Sequence, residues 1–195
     1  MAKSILMSIK PQYVAKILNG EKTIEVRKKF PKDFVGWVYI YVTKGNGHLT
    51  DYGISKTWCF FEKGNDIFKK EQLERECYNG KVVARFWCDK VEEHRPFFHW
   101  CIEKETCLSR NEVLDYLDSK NEYSAKRHSS VYAIHISKLE IFDKPKELRQ
   151  CMSWNSCKYC PFNAPYECNN GRCRIYRSIQ KAPQNYMFIG EIEDE

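Results

Sequence analysis

The chain has 195 residues, of which 43% are hydrophobic and 14% aromatic. This composition supplies enough apolar side chains for a buried core, so a disordered tail and a disulfide-held miniprotein are both excluded. The 32 Lys and Arg residues exceed the 26 Asp and Glu residues, which gives a net charge of +6. Such a mild excess permits a phosphate-bearing partner without requiring one. The length favours a single domain over 1–195.

The sequence shows neither a membrane span nor an export signal. No stretch reaches the roughly 20 apolar residues that a membrane helix needs. The N-terminal segment from Met1 to Lys10 lacks the apolar centre of a signal peptide. We therefore expect a cytoplasmic protein without a membrane partner. In that reducing compartment, the ten cysteines are expected to be thiols or metal ligands.

The first part of the chain predicts a strand, a helix and a second strand. A strand is expected over 4–10, and a helix begins at Pro11, where the missing N–H of proline costs nothing. Apolar residues spaced three and four apart give this helix one buried face, and Gly20 suits its left-handed cap. Alternating polar and apolar residues over 22–28 then predict a half-buried strand.

The middle of the chain predicts two strands separated by a long loop. The apolar run over 37–42 is typical of a central strand that is buried on both faces. The glycine-rich stretch 44–66 has no sustained period and predicts a loop. A further strand is expected over 81–89. The capping-box pattern from Ser109 to Glu112 predicts the start of a second helix.

The rest of the chain completes an α+β pattern. Strands are expected over 131–142 and 185–192, with a brief helix from Pro145 to Leu148 between them. Strands and helices do not alternate regularly, which is typical of a mixed α+β domain with a curved or closed sheet. We predict a small β-barrel with short helices at its ends.

Four charged residues near the N-terminus form the candidate binding site. Lys22 follows a helix C-terminus, where the helix dipole favours a cation. Glu25 and Arg27 are two residues apart on a strand and therefore share a face. The cations suit a phosphate, and the carboxylate suits a nucleobase amino group. The alternative is a solvated strand face without function. Lys10, at a strand end, is a fourth candidate with the same alternative.

These residues carry a resemblance to a known family. The runs Ser8-Ile-Lys10-Pro11 and Gly20-x-Lys22-x-x-Glu25-x-Arg27 resemble the start of ASCH domains, which belong to the PUA-like superfamily of small β-barrels. Segments beginning at Gly80, Tyr132 and Lys181 resemble later strands of that family. The resemblance leaves out 45–66 and 151–177. It implies a PUA-like barrel and a ligand cleft between the barrel and the first helix, lined by the charged motif.

The resemblance implies RNA or nucleotide binding as the favoured function. One bacterial branch of the family hydrolyses an acetylated cytidine with a Lys, a Thr three residues later and a distant Glu. Lys22 matches, but Glu25 occupies the threonine position and Thr23 is expected to point to the other side of the strand. An amidohydrolase in which Glu25 activates water, a ribonuclease and a protein-interaction module therefore stay as alternatives.

A cysteine-rich segment over 151–177 predicts a metal-stapled insertion. Its four thiolates in two close pairs are the number that tetrahedral zinc needs, and metal binding would supply folding free energy to a segment with few aliphatic residues. An iron–sulfur cluster and free thiols are alternatives. Cys151 is an alternative to one of the four zinc ligands predicted here. The expected structural zinc ligands are Cys157, Cys160, Cys168 and Cys173.

Overall fold

The computed structural model of this chain describes most of the expected domain. The described residues are 3–45, 47–52, 57–62, 77–96, 100–117, 129–153, 178–190 and 192. The predicted zinc ligands, all within 154–177, lie outside this part of the chain, so the metal-stapled insertion stays a prediction.

The described elements confirm a mixed α+β composition, with short helices between strands. In chain order they are β1 (Lys3–Ile9), α1 (Pro11–Leu18), β2 (Ile24–Arg27), β3 (Gly36–Val42), β4 (His48–Tyr52), β5 (Thr57–Phe61), β6 (Lys81–Cys88), β7 (Val91–His94), α2 (Glu103–Thr106), α3 (Arg110–Tyr116), β8 (Val131–His135), β9 (Ser137–Glu147), a 3₁₀-helix (Leu148–Gln150) and β10 (Tyr186–Gly190).

The described strands form three sheets. The largest has the order β10-β1-β3-β6-β9, the second the order β2-β8-β7, and β4 pairs with β5 as a hairpin. β1 and β3 run parallel, with α1 and β2 in the connection between them. β3 lies at the centre of the five-stranded sheet and is buried along nearly its whole length. This confirms the predicted central strand.

The two larger sheets meet at a corner. β6 pairs with β9 and β7 pairs with β8, so these four strands form one long antiparallel pair that bends at Lys90 and Ile136. Beyond β9, isolated bridges join Met152 to Ser178 and Ser153 to Ile189. β9 and β10 are the two edge strands of the five-stranded sheet, and no ladder joins them among the described residues, so the described strands do not close into the expected barrel.

The core lies on both faces of the five-stranded sheet. Successive residues of β1 point to opposite faces, so Ile5 and Met7 join one apolar cluster while Leu6 joins the other. The first cluster includes the buried face of α1, and the second includes Cys151. A third, smaller cluster packs α3 against the three-stranded sheet. The charged residues of β2 therefore lie between α1 and α3.

The stretch predicted as a long loop contains the hairpin of β4 and β5. Leu49 and Trp58 are buried in the cluster with α1. The side-chain amide of Asn19, at the end of α1, exchanges two hydrogen bonds with the backbone of Trp58, at 2.9 and 3.0 Å. Gly47 has a φ of +112°, and a Cβ there would come within 2.1 Å of the Phe60 ring. The prediction was wrong because a glycine that the hairpin requires was taken as a sign of a loop.

Two further boundaries differ from the predictions. The stretch 131–142 is divided at Ile136, where the chain passes between the sheets. The expected helix from Pro145 is instead the end of β9, which is followed by the 3₁₀-helix. A proline is tolerated there because β9 is an edge strand of its sheet. The capping box at Ser109 and the helix that follows it are confirmed.

Candidate functional site

All four predicted site residues line one cleft. The cleft has a volume of about 700 Å³ and lies between the start of α1, β2 and α3. We call it the charged cleft. Its walls include the predicted residues together with polar and aromatic side chains from distant parts of the chain: Ser8, Lys10, Tyr13, Lys22, Glu25, Arg27, Thr43, Glu112, Tyr116 and Asn185.

The end of α1 directs Lys22 into this cleft. Gly20 has a φ of +76°, in the left-handed region that ends many helices. The backbone N–H groups of Glu21 and Lys22 both donate to the carbonyl of Lys16, at 2.9 and 3.1 Å. These bonds close the helix and turn the chain into β2. The predicted left-handed cap of α1 at Gly20 is therefore confirmed.

Glu25 lies between two cations. Its Oε2 atom is 3.4 Å from Nζ of Lys22, and its Oε1 atom is 2.9 Å from Nη2 of Arg27. The side chains of Lys22, Glu25 and Arg27 are only 1%, 7% and 11% exposed. We call these three residues the charged triad. Because it is shielded from water, the alternative of a solvated strand face is wrong.

Two side chains of the charged triad also form hydrogen bonds to the surrounding backbone. Nζ of Lys22 donates to the carbonyl of Thr106, at the end of α2, over 2.6 Å. Nη2 of Arg27 donates to the carbonyl of Ser8, near the end of β1, over 2.7 Å. The two bonds tie β2 to α2 on one side and to the five-stranded sheet on the other. The triad therefore contributes to the fold as well as to the cleft.

Burial changes the acid–base chemistry of the cleft. Loss of solvation lowers the pKa of Lys22, although the neighbouring Glu25 carboxylate opposes this shift. Nζ of Lys22 lies 5.5 Å from the centre of the Tyr13 ring. Burial also raises the pKa of Tyr13, which stays a neutral phenol. Shifted titratable groups in a cleft are typical of functional sites.

Two buried polar atoms of cleft residues have no hydrogen-bond partner within the described part of the chain. They are Nε of Arg27, a donor, and Oδ1 of Asn185, an acceptor. The amide orientation of Asn185 is set by its Nδ2 atom, which donates to the carbonyl of Lys29 over 3.0 Å. A buried group without a partner is costly. Ser4 Oγ and His94 Nε2, which do not line the cleft, are likewise buried without a partner among the described residues, so this feature is not confined to the charged cleft.

Several cleft residues were not predicted from the sequence. Asn185 precedes β10, and its carbonyl accepts from the N–H of Ser8 over 3.1 Å. This long-range pairing has no local signal. Glu112, in contrast, had a local sequence signal, because it belongs to the predicted capping box. Hydrogen bonds from Ser109 lower its pKa, so it is a carboxylate at neutral pH. Thr23 is exposed and lies outside the charged cleft, in agreement with its predicted orientation.

The described residues hold no alternative metal centre. Within the described ranges, no group of three or more His, Cys, Asp or Glu residues could bind an ion. Cys151 is fully buried in the apolar cluster, and burial raises the pKa of its thiol to about 12. Whether Cys151 replaces one of the four predicted ligands stays a prediction, because those ligands lie outside the described residues. In the same ranges, no helix is long and apolar enough to span a membrane.

Comparisons with known proteins found structural likenesses only. No family model and no curated protein matches the chain. The structure is similar to the crystal structure of ASCH from Zymomonas mobilis, with a TM-score of 0.47, 16% identity and coverage of 74% of this chain and 73% of that chain. A tyrosine-to-phenylalanine mutant of that protein gives 0.48, 15%, 75% and 77%. A serine-to-alanine mutant gives 0.46, 15%, 74% and 74%.

These neighbours belong to the family that the sequence motifs resemble. Their TM-scores are below 0.5 and their identities are low, so no residue role is transferred from them. The function has to be inferred from the charged cleft itself.

The buried charged triad makes a first testable prediction. Substituting Glu25→Gln removes the only anion of the triad and leaves two cations without charge compensation. We expect the free energy of unfolding to fall by about 3–5 kcal/mol, measured by urea denaturation. The matched control is Glu93→Gln, which breaks the exposed pair with Lys32 and is expected to change stability far less. Equal effects of the two substitutions would contradict a buried, interdependent triad.

Proposed function

We propose that this protein binds a nucleotide, or one nucleotide of a single-stranded RNA, in the charged cleft. The observation that carries the proposal is that the charged triad, the exposed Lys10 and the partly exposed ring of Tyr116 line one cleft. Nε of Arg27 and Oδ1 of Asn185 are unpartnered among the described residues but covered from solvent, so a ligand reaches them only when these side chains shift. The cleft volume of about 700 Å³ lies within the usual range for small-molecule sites.

The two atoms suit a nucleobase that carries an amino group. Arg27 donates to a ring nitrogen or carbonyl of the base, and Asn185 accepts from the exocyclic amino group. Bases in single strands expose these edges and are commonly read in this way. Glu25 is then the anchor that holds Arg27 in position, because Oε1 accepts from the guanidinium. Uracil has no amino group and is expected to bind most weakly.

Other cleft residues suit the remaining parts of a nucleotide. Tyr116 is 39% exposed and lines the cleft from α3, so its ring offers a stacking surface for a base. Lys10 is exposed at the end of β1, where its ammonium group is free to approach a phosphate. The cleft thus provides a cation, an aromatic ring and two base-reading atoms.

Titration with the four ribonucleoside 5′-monophosphates tests this proposal. We expect calorimetric binding to be strongest for a base with an amino group and about tenfold weaker for uridine monophosphate, which corresponds to one lost hydrogen bond. Arg27→Lys keeps the charge but removes the planar fork, and is expected to weaken binding at least about tenfold.

Lys29→Ala serves as the control, since it removes an exposed cation outside the cleft and is expected to bind as the unaltered protein does. Thermal unfolding of each variant checks that it is folded. The proposal fails if none of the four nucleotides binds, or if folded Arg27→Lys binds them as well as the control.

A second candidate function, hydrolysis of an acetylated cytidine, is favoured by one observation. The lowered pKa of Lys22 makes its neutral, nucleophilic amine available at lower pH than usual. Against this, both oxygens of Glu25 face cations at 3.4 Å or less, which makes this carboxylate a weak base for activating water. Binding without turnover is therefore the function that the cleft geometry supports better.

Incubation with acetylated cytidine separates the two functions. The binding proposal predicts association without release of acetate, followed by chromatography. Release of acetate that is abolished by Lys22→Arg, a substitution that keeps the positive charge, would establish the hydrolase instead. Glu93→Gln, remote from the cleft, is the control for contaminating activity.

We also propose one structural zinc ion bound by Cys157, Cys160, Cys168 and Cys173. The spacing of these residues supports the proposal. The reducing, cytoplasmic location expected from the sequence is part of this proposal, because thiolates have to be free to bind the metal.

Elemental analysis of protein purified without added metal is expected to find one zinc per chain. The amount should fall in Cys157→Ser and be unchanged in Cys59→Ser, where the cysteine lies outside the predicted quartet. Iron in place of zinc would favour the cluster alternative. The absence of both metals would leave free thiols as the explanation.

A further inference from the structure

A second cleft adjoins the charged cleft and was not predicted from the sequence. Its volume is about 770 Å³. Ser8 and Thr43 line both clefts, so the two are neighbours at the ends of β1 and β3. The chain segments 43–45 and 180–185 run along both of them. Ser8 Oγ donates to the carbonyl of Pro183 over 2.7 Å, which holds the second segment against β1.

The second cleft has a positive lining, and we call it the basic cleft. Lys44, Arg149 and Lys181 line it and are all exposed. Within the described part of the chain, none of these three cations takes part in an ion pair. Glu147 is the one acidic residue among the lining residues, and its carboxylate already accepts from the backbone of the 3₁₀-helix. The cleft therefore offers a net positive charge to an anion.

Lys44 is placed against the backbone that forms this cleft. Gly80 has a φ of +86°, and a Cβ at that position would come within 2.6 Å of Cε of Lys44. The aliphatic stem of Lys44 thus lies along the surface that the missing side chain leaves open. Glycine at this position lets a long cation pack across the chain while its ammonium group stays exposed.

We propose that the basic cleft binds the phosphates of nucleotides that follow the one held in the charged cleft, so that the natural ligand is a single-stranded RNA. This inference rests on the proposed function and extends it from one nucleotide to a strand. Two concave sites that share walls, one with base-reading atoms and one with unpaired cations, match the alternation of bases and phosphates along a strand. A basic groove that follows the backbone is the usual means of binding single strands.

The proposal predicts that the two clefts contribute separately to the affinity for RNA. A mononucleotide needs only the charged cleft, whereas a longer strand gains the phosphate contacts of the basic cleft. Each phosphate neutralised on a single strand adds about 0.7 to the slope of log affinity against log salt concentration. Three contacts would add about 2 to that slope.

The test compares cytidine monophosphate with a six-nucleotide cytidylate RNA, by fluorescence anisotropy and calorimetry over a series of salt concentrations. We expect the hexamer to bind at least about tenfold more tightly. The triple variant Lys44→Ala, Arg149→Ala and Lys181→Ala should lose this gain and the added salt slope. Its affinity for the monophosphate should be unchanged. Gel electrophoresis verifies that the RNA stays intact.

A charge-matched control isolates the role of position. The triple variant Lys29→Ala, Lys104→Ala and Lys144→Ala removes three exposed cations that line neither cleft, and should keep the hexamer affinity. The proposal is overturned if both triple variants weaken hexamer binding equally, or if the hexamer binds no better than the monophosphate.

Failure of the proposed function gives a different pattern. In that case the monophosphate does not bind and Arg27→Lys has no effect, whereas the hexamer still binds and the Lys44, Arg149 and Lys181 triple variant weakens it. Such a result would retain the basic cleft as an RNA surface and reject the charged cleft as the base site.

Discussion

The fold around the charged cleft depends on one buried carboxylate. Glu25 pairs with both Lys22 and Arg27, and each of these cations also donates a hydrogen bond to a backbone carbonyl of another element. Charges in a protein interior are tolerated only when they are paired and hydrogen bonded. The same requirement that allows Lys22, Glu25 and Arg27 to be buried therefore also joins α2, β2 and β1. In this molecule the wall of the charged cleft and the internal support are made from the same side chains.

This double role favours binding over catalysis. A general base needs an oxygen that is free to accept a proton, but both oxygens of Glu25 face cations. Arg27, in contrast, uses one nitrogen for support and leaves Nε unpartnered within the described ranges. A guanidinium group has enough donors to be held by the protein and to read a ligand at the same time. The geometry of the triad is therefore more compatible with the proposed ligand-binding role than with a role in catalysis.

Local patterns predicted much of this structure. The spacing of apolar residues and Gly20 located α1 and its end, and the capping box located α3, because these signals act over one or two turns. The motif residues Lys10, Lys22, Glu25 and Arg27 were correctly expected to share a cleft. The near-complete burial of Lys22, Glu25 and Arg27 was not predicted, because alternating charges on a strand look the same whether the outer face is solvated or covered by helices.

Features that depend on distant residues were missed. Asn185 enters the charged cleft through pairing with β1, and the basic cleft combines Lys44 with residues more than a hundred positions later. The hairpin of β4 and β5 was missed because the glycines of this stretch were interpreted as loop residues, although Gly47 has the conformation and the close approach to Phe60 that the pairing requires. Non-local contacts of this kind have no periodic signature, so neither the second cleft nor the open edge of the expected barrel could be foreseen from the sequence.

The pairing of β1 with β10 has a consequence for the order of folding. Residues 3–7 meet residues 186–190, so a chain emerging from the ribosome has to keep its first strand available until nearly all of the domain has been made. Such distant contacts slow folding, because a long loop must close before they form. Asn185 reaches the cleft only in this last step. A partly synthesised chain therefore lacks one wall of the charged cleft until β10 has paired with β1.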